Sequence, residues 1–502
     1  MQREVVTGYC WPQSAQAGDT VGLHLSSAGD RPVRVEVARV GANREVVWRD
    51  DAVAARYHET PHDASAQGCR WPVACTIAID PTWRSGYYEV VIEIDVGDKV
   101  RRDDAFFVVR PAPGTAIVLA LATNTWHAYN DFGGFNLYNG GTHAAMQRPM
   151  AAGYLRKPPG KGRRVTGTGA PDPQNAAHVG YLQLNHLSGW AGSAGWPDWE
   201  LPFLQWAERA GYDIGVCSNA DLEAHPEVLD DAQLYLSVGH DEYWSKGMRD
   251  TVESFIARGG NAAFFSGNTS LWQVRLEGDE HDVMVGYKAM FKDDPLLGTS
   301  RASEVTTFWS DAIIARPENH MTGVSFTRGG YHRIGRNVTN GLGGYTLHRA
   351  NHWVFAGTGL GYGDILGAEA TTVGYECDGC AFTTRDGLPY PTGEDGTPAS
   401  FEILGTCPTQ HFTRESAPRP PRPGEPSELE YIAARIFGTR DRAAIERIRH
   451  GHAVLGVYTN DAGATVFTSG STDWAHGLAA RDPHIEQITH NLLRRLGTAS
   501  VT

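Results

Sequence analysis

The stretch QLYLSVGHDEYWSKGMRDTVESFIARGGNAAFFSGN, residues 233–268, decides the fold class. It opens on the apolar run QLYLSVG (233–239), the pattern of a strand buried on both faces of a parallel sheet. SKGMRDTVESFIARGG (245–260) then places apolar residues at helical spacing and stops on a glycine pair. NAAFFSG (261–267) is a second apolar run. Strand, helix and strand in succession make a βαβ unit, which predicts a parallel sheet with helices against it.

The same alternation extends outward. AIVLALA (116–122) reads as a further buried strand, LPFLQWAERAGY (201–212) as an amphipathic helix ending at Gly211, and DIGVCS (213–218) as a short strand. ADLEAHPEVL (220–229) predicts a short helix and GATVFTSGSTDW (463–474) a late strand. HIEQITHNLLRRLG (484–497) predicts a closing helix with basic residues in its last turn, where they complement the helix dipole. Residues 140–200 and 275–350 read as long excursions, and the Pro-, Gly- and Thr-rich 385–430 as irregular. The expected class is a doubly wound α/β domain.

The first 110 residues follow another period. VGLHLSS (21–27), VRVEVARVG (33–41), ACTIAI (74–79) and YYEVVIEID (87–95) alternate apolar and polar side chains between turn residues, which predicts a β-sandwich. PAPG (111–114) is the expected linker. With 502 residues the chain exceeds one typical core, so two domains are expected, 1–112 and 113–502.

Charge and cysteine usage narrow the partners. The net charge of −14, with no Lys/Arg run, argues against nucleic acid or an anionic membrane. No apolar run reaches the ~20 residues of a membrane span, and the polar start MQREVVTGYCWPQSAQAGD has no signal-peptide core. The cysteines Cys10, Cys69, Cys75, Cys217, Cys377, Cys380 and Cys407 are few and odd in number, which favours a reducing cytoplasm. A Cys69–Cys75 bridge is the minor alternative. Fourteen tryptophans favour aromatic-lined clefts.

In open α/β sheets ligands bind beyond the carboxyl ends of the strands, so the segments after the three apolar runs are the place to search. TNTWHAYNDFGGFNLYNGG (123–141), HDEYWS (240–245) and NTSLWQVR (268–275) hold Tyr129, Tyr138, His240, Glu242 and Asn268. Singly, a loop Tyr or Asn is more often packing than function; polar groups at all three strand ends together point to a site. His240 and Glu242 are two apart, so on extended backbone they share a side. Such a pair serves as metal ligand with partner or as base with orienter, and it lacks the two-His helical spacing of common zinc hydrolases.

The segments TNTWHAYNDFGG, LYNGG, LPFLQWAERAGYD, VGHDEYWS, GGNAAFFSGN and NHWVFAGTG resemble the large (beta) subunit of N,N-dimethylformamidase and the broader family sharing its C-terminal region. The resemblance spans most of 115–495, and the β-rich start is similar to the small β domain preceding it in that family. It implies an immunoglobulin-like β-sandwich followed by a class I glutamine amidotransferase-like α/β domain. It implies an amide hydrolase with mononuclear Fe3+ held by Tyr129, Tyr138 and Glu242, with His240 and Asn268 in supporting or substrate-contacting roles. Tyr138 follows a shorter loop than in the family. Two phenolates and a carboxylate are hard oxygen donors that suit a trivalent cation, with Zn2+ the second choice. The expected partners are a small amide substrate and further copies of the chain, with a small partner subunit left open.

Two other readings are carried forward. The scaffold could be a catalytically inactive module binding a small molecule or glycan, or a cysteine hydrolase using Cys217, whose GVCSN context partly matches a nucleophile elbow. The C-x-x-C of Cys377 and Cys380, with Cys407 and His411, is a weak zinc-knuckle pattern. His127, His143, His186, His332 and His352, and Trp126, Trp190, Trp196, Trp244 and Trp272, flank the candidate loops and are as readily packing as pocket wall.

Overall fold

A computed structural model describes residues 5–157, 184, 186–334, 338–339, 342–417 and 421–498. The class is mixed α/β. Part of the 140–200 excursion expected above lies outside the described residues.

The alternating N-terminal segments form two sheets. Val6–Trp11, Thr20–Ser27 and Val73–Ala78 make a three-stranded antiparallel sheet. Ser14–Ala15, Lys99–Val109, Gly86–Val96, Val33–Val40 and Arg44–Val53 make a five-stranded one, in that order. Because side chains alternate across a strand, every second residue turns inward. Leu23, Leu25 and Ile77 of the smaller sheet thus share one core with Val35, Val37, Val90, Ile92 and Phe107 of the larger. The outward face of the larger sheet carries Arg44 and Arg49 paired with Glu36, and Arg44 and Arg102 paired with Glu89.

The apolar runs of the remainder form a nine-stranded sheet. Its order is Gly215–Ser218, Ile117–Leu121, Leu234–His240, Asn261–Gly267, Thr465–Thr468, Gly451–Thr459, Glu402–Thr409, Tyr345–Leu347 and Ile365–Leu366. The first five strands run parallel and the rest antiparallel. Both faces are covered. Ile117, Leu119 and Leu121 pack with the helices Glu200–Arg209 and Pro483–Leu496, whereas Val118 and Ala120 face the helix Lys246–Ala257. A strand buried on both sides must be apolar throughout, which is why AIVLALA lacks alternation.

Two expectations are corrected. TNTWHAY, expected as loop, is the helix Thr123–Tyr129, every residue of it buried. Its N-cap residue, Ala122, offers no side-chain cap, and packing together with the Asn124 N–H donation to Asn219 Oδ1 holds it in place. Within 385–430, expected as irregular, Glu402–Thr409 is a full strand of the main sheet, paired with Gly451–Thr459. All seven cysteines are free, so Cys69 and Cys75 form no bridge.

The N-terminal sheets are fastened to the rest by buried polar contacts. Arg39 and Glu208 form an ion pair at 2.5 Å with both side chains over nine-tenths buried. Glu208 also accepts the Ala42 N–H at 2.7 Å. Gln13 accepts from His127 Nε2 at 2.8 Å and donates to the Met146 carbonyl at 3.3 Å, and Tyr87 stacks on Trp196. Removing one partner of a buried pair leaves the other charge uncompensated. Glu208→Ala is therefore expected to lower unfolding free energy by about 3–5 kcal/mol in urea titration. A loss under about 1 kcal/mol, the scale of an exposed pair, would show that the junction holds without it.

Candidate active site

Three adjacent parallel strands, Ile117–Leu121, Leu234–His240 and Asn261–Gly267, end on one side of the sheet. Each delivers a polar group to the same place. The first feeds the Thr123–Tyr129 helix, whose last residue is Tyr129. The second ends at His240, with Glu242 two residues on. The third ends at Gly267, opposite His240 in register, and continues into Asn268.

The backbone around these residues is pinned. Glu242 N–H donates to Thr125 Oγ1 at 2.9 Å, and Asn124 Nδ2 donates to the Tyr243 carbonyl at 3.2 Å, so the helix fixes the turn after the second strand. Asn136 Nδ2 donates to the Tyr129 carbonyl at 2.8 Å while its Oδ1 accepts the Tyr138 N–H at 2.9 Å. That bidentate amide ties the two tyrosines to one loop. Asp241 turns the other way, accepting from Ser237 at 2.8 Å and Asn219 at 3.2 Å. His240 and Glu242 therefore share a side, as their spacing predicts.

The functional atoms converge on Tyr138 Oη. It lies 2.6 Å from Tyr129 Oη, accepts from Tyr243 Oη at 2.8 Å, and donates to Glu242 at 2.8 and 3.1 Å. Glu242 also accepts from Trp272 Nε1 at 2.8 Å and faces His240 Nε2 at 3.3 Å. Tyr129, Tyr243, His240 and Glu242 are almost wholly buried, whereas Tyr138 as a residue is 38% exposed. All five residues singled out by sequence thus lie together.

Sequence reasoning missed three members of the cluster. Glu376 Oε2 lies 2.6 Å from His240 Nε2 and accepts from Asn268 Nδ2 at 2.9 Å. It starts the strand Glu376–Gly379, which crosses so near that a Cβ on Gly267 would strike the Glu376 carbonyl oxygen. The glycine is thus required by close approach. Lys288 Nζ donates to Tyr243 Oη at 2.6 Å and lies 3.1 Å from the Tyr138 ring centroid. Tyr243 stood in the quoted HDEYWS but was passed over beside Glu242. Lys288 and Glu376 lay in unpatterned stretches where only a contact could reveal them.

Burial and charge oppose one another here. Desolvation and the Glu242 charge hold the Tyr129 and Tyr138 phenols well above their usual range. Burial would lower His240, but Glu376 and Glu242 outweigh it and raise the imidazole well above its ordinary value. Burial would raise Glu242, but His240 and Lys288 draw it down. Burial brings Lys288 down to about 7, with Glu242 and Glu376 opposing. Two carboxylates and three phenols thus face one ammonium and one imidazole, an oxygen-rich set whose phenols are held in the neutral form. Hard oxygen ligands in that arrangement fit a small, highly charged cation.

The other candidates go elsewhere. Cys217 is fully buried in its strand and its thiol is pushed well up by desolvation, opposite to an activated nucleophile. Among the described residues no three His, Cys, Asp or Glu side chains are arranged to hold a metal, which removes the zinc knuckle at Cys377 and Cys380. His127 bonds Gln13, and His332 bonds the Pro408 carbonyl. Trp190 stacks on Tyr138 at 5.3 Å, while Trp126 and Trp196 pack on Tyr87.

Fold and site define a mixed α/β protein with a buried phenol and carboxylate cluster at the carboxyl edge of a parallel sheet. The chain belongs to the N,N-dimethylformamidase beta subunit-like, C-terminal family, which matches residues 34–488. No curated protein matches it. Among solved structures it is similar to the pectate lyase Pel3 of Pectobacterium carotovorum, at 14% identity and TM-score 0.13 over 23% of this chain and 31% of that one. A family 123 glycoside hydrolase of Clostridium perfringens matches at 9% identity and TM-score 0.12, over 58% of this chain and 48% of that one. Each match spans less than half of the solved chain, and neither bears on the site.

Asn268 sits at φ 52, held by N–H donation to Asp378 Oδ1 at 2.8 Å, and Thr269 N–H donates to Oδ2 at 3.0 Å. Asp378→Ala leaves two buried N–H groups without acceptors, an expected loss of roughly 1–3 kcal/mol. Thermal unfolding measures it. A change within about 0.5 kcal/mol, typical of a surface substitution, would show that the Asn268 turn stands alone.

Proposed function

We propose that this chain hydrolyses a C–N bond, most simply that of a formamide or related amide, with mononuclear Fe3+ held by Tyr129, Tyr138 and Glu242. The observation that carries the reading is the meeting of Tyr138 Oη with Tyr129 Oη at 2.6 Å and with the Glu242 carboxylate at 2.8 and 3.1 Å. Both partners meet Tyr138 Oη at hydrogen-bond distance, which supports a shared ligand point. Family membership supports a dimethylformamidase-like hydrolase. Zn2+ remains the second choice, since it commonly takes nitrogen and sulfur ligands.

When bound, a ferric ion supplies Lewis acidity, polarising a carbonyl and making water more acidic. The remaining work falls to the chain. Trp272 Nε1 and His240 Nε2 hold the two oxygens of Glu242 in a fixed orientation. His240 donates from Nδ1 to the Ser193 carbonyl at 2.6 Å, leaving Nε2 directed at Glu376. In this reading the Glu376 carboxylate takes a proton from water, His240 gives its Nε2 proton to the departing nitrogen, and Glu376 restores the proton at Nε2. Asn268 Oδ1 is buried without a hydrogen-bond partner among the described residues, free to orient that water or the amide. The aromatic walls Trp190, Tyr243 and Trp272 limit water access, strengthening each of these interactions.

The same reading divides the chain into an immunoglobulin-like sandwich, 1–112, and an amidotransferase-like α/β domain, 113–502. The shared core of the two N-terminal sheets and the helices on both faces of the main sheet support it. The beta-subunit description of the family supports a partner subunit. Association with further copies of the chain is part of the same proposal. No described helix is long and apolar enough to cross a membrane.

The test loads the protein with Fe3+, measures iron per chain and the visible phenolate-to-iron absorption, and assays amine release from formamide and its N-substituted derivatives. Tyr129→Phe and Glu242→Gln are each expected to lose bound iron and to lower kcat/KM at least about a hundredfold, the scale on which one positioned catalytic group is felt. A protein that takes up no iron, with Tyr129→Phe as active as the parent, would overturn the reading.

A further inference from the structure

Three phenols converge at the site, yet the proposed ligand set uses two. Tyr243 Oη is 2.8 Å from Tyr138 Oη and belongs to a wholly buried side chain next in sequence to Glu242. By chemistry alone it is a third hard oxygen donor for the same cation. What separates it from Tyr129 and Tyr138 is Lys288.

Lys288 is a buried lysine on left-handed backbone, φ 55. Its N–H donates to the Thr306 carbonyl at 2.9 Å, and the preceding Tyr287 N–H donates to Thr306 Oγ1 at 2.8 Å. A non-glycine residue in that region is strained, so the segment is held there by its surroundings. The side chain ends among three rings, with Nζ 3.1 Å from the Tyr138 centroid, 5.2 Å from Tyr243 and 5.0 Å from Trp272. It donates to Tyr243 Oη at 2.6 Å. Tyr243 has one proton, and that proton is directed at Tyr138 Oη. Its oxygen is therefore occupied by Lys288 on one side and committed as a donor on the other. The order of donation runs Lys288, Tyr243, Tyr138, Glu242.

We propose that Lys288 is a positioning residue that keeps Tyr243 as a hydrogen-bond donor and so excludes it from the metal's donor set, fixing the site at two phenolates and one carboxylate. The proposal rests on the iron reading above. Exclusion matters chemically because each further anionic oxygen lowers the net charge of the ion and weakens its pull on a carbonyl. The cation over the Tyr138 ring acts in the same direction, drawing electron density from that donor. With Lys288 removed, Tyr243 Oη loses its fixed partner and is free to turn toward the cation.

The experiment reads the phenolate-to-iron absorption and iron content of Fe3+-loaded protein. In Lys288→Met the band is expected to move to shorter wavelength and to strengthen per iron, because a third phenolate makes the ferric ion harder to reduce. Adding Tyr243→Phe to that variant is expected to remove the added intensity per iron. Tyr243→Phe alone, which keeps Lys288, is expected to retain the parent band position and iron content, and covers the case in which Lys288→Met does not fold. Loss of iron or of band intensity in Tyr243→Phe would mark Tyr243 as a ligand in the parent and overturn the proposal. So would a Lys288→Met band identical to the parent. A parent protein without any such band instead overturns the iron reading, and this proposal falls with it.

Discussion

A buried carboxylate surrounded by donors is the interaction on which the site depends. Glu242 lies out of contact with water, and an ionised carboxylate there is tolerable only if hydrogen bonds and charge replace its solvent shell. Tyr138, Trp272 and His240 supply those contacts, and Lys288 adds positive charge through Tyr243. Two of these groups, and Asn268 beside them, are in turn oriented by something further out. His240 is steadied by the Ser193 carbonyl, Tyr138 by the Asn136 amide, and Asn268 by Asp378. The arrangement is a hub of acceptor oxygen at the centre with donors aimed inward, which replaces the carboxylate's solvent shell.

The scaffold makes that hub possible because parallel strands end together. Three neighbouring carboxyl ends bring residues more than a hundred positions apart in sequence into one cluster without any long loop having to span the distance. The Glu376 strand then closes the cluster from the side. It brings the second carboxylate to His240, and its approach is open only because Gly267 has no Cβ. The N-terminal sheets contribute indirectly. Gln13 bonds His127 on the same short helix that carries Tyr129, so displacement of those sheets would be felt two residues from the proposed ligand.

Much of this was legible in the residues. The apolar runs 116–122, 233–239 and 261–267 announced parallel strands because burial on both faces forbids alternation, and their ends named Tyr129, Tyr138, His240, Glu242 and Asn268. What stayed hidden was information carried by tertiary contact. Lys288 is an isolated lysine in a segment without periodicity, and its role exists only because three rings surround it. Glu376 stood beside a Cys-x-x-Cys pattern that drew the reading toward zinc. The helix Thr123–Tyr129 has no side-chain cap from its own N-cap residue, so local signals were silent and tertiary contacts decided. The strand Glu402–Thr409 was obscured by the Pro, Gly and Thr around it, a case of tertiary pairing overriding composition.

Tyr138 is the member of the cluster that meets solvent. The residue is over a third exposed while Tyr129, Tyr243, His240 and Glu242 are closed off. One face of the ring carries the Lys288 ammonium and Trp190 stacks against it at 5.3 Å. These contacts hold the ring's orientation although part of the residue meets water. A phenol so clamped can serve at once as wall and as oxygen donor, because neither role then requires it to move. That economy explains why the short loop from Tyr129 to Tyr138 carries so much internal bonding: Asn136 and Asn139 bond one another's backbone, Asn136 N–H to Asn139 Oδ1 at 2.7 Å and Asn139 N–H to Asn136 Oδ1 at 3.0 Å. A loop fixed by its own amides presents Tyr138 within hydrogen-bond distance of Glu242, the contact on which the proposed ligand set rests.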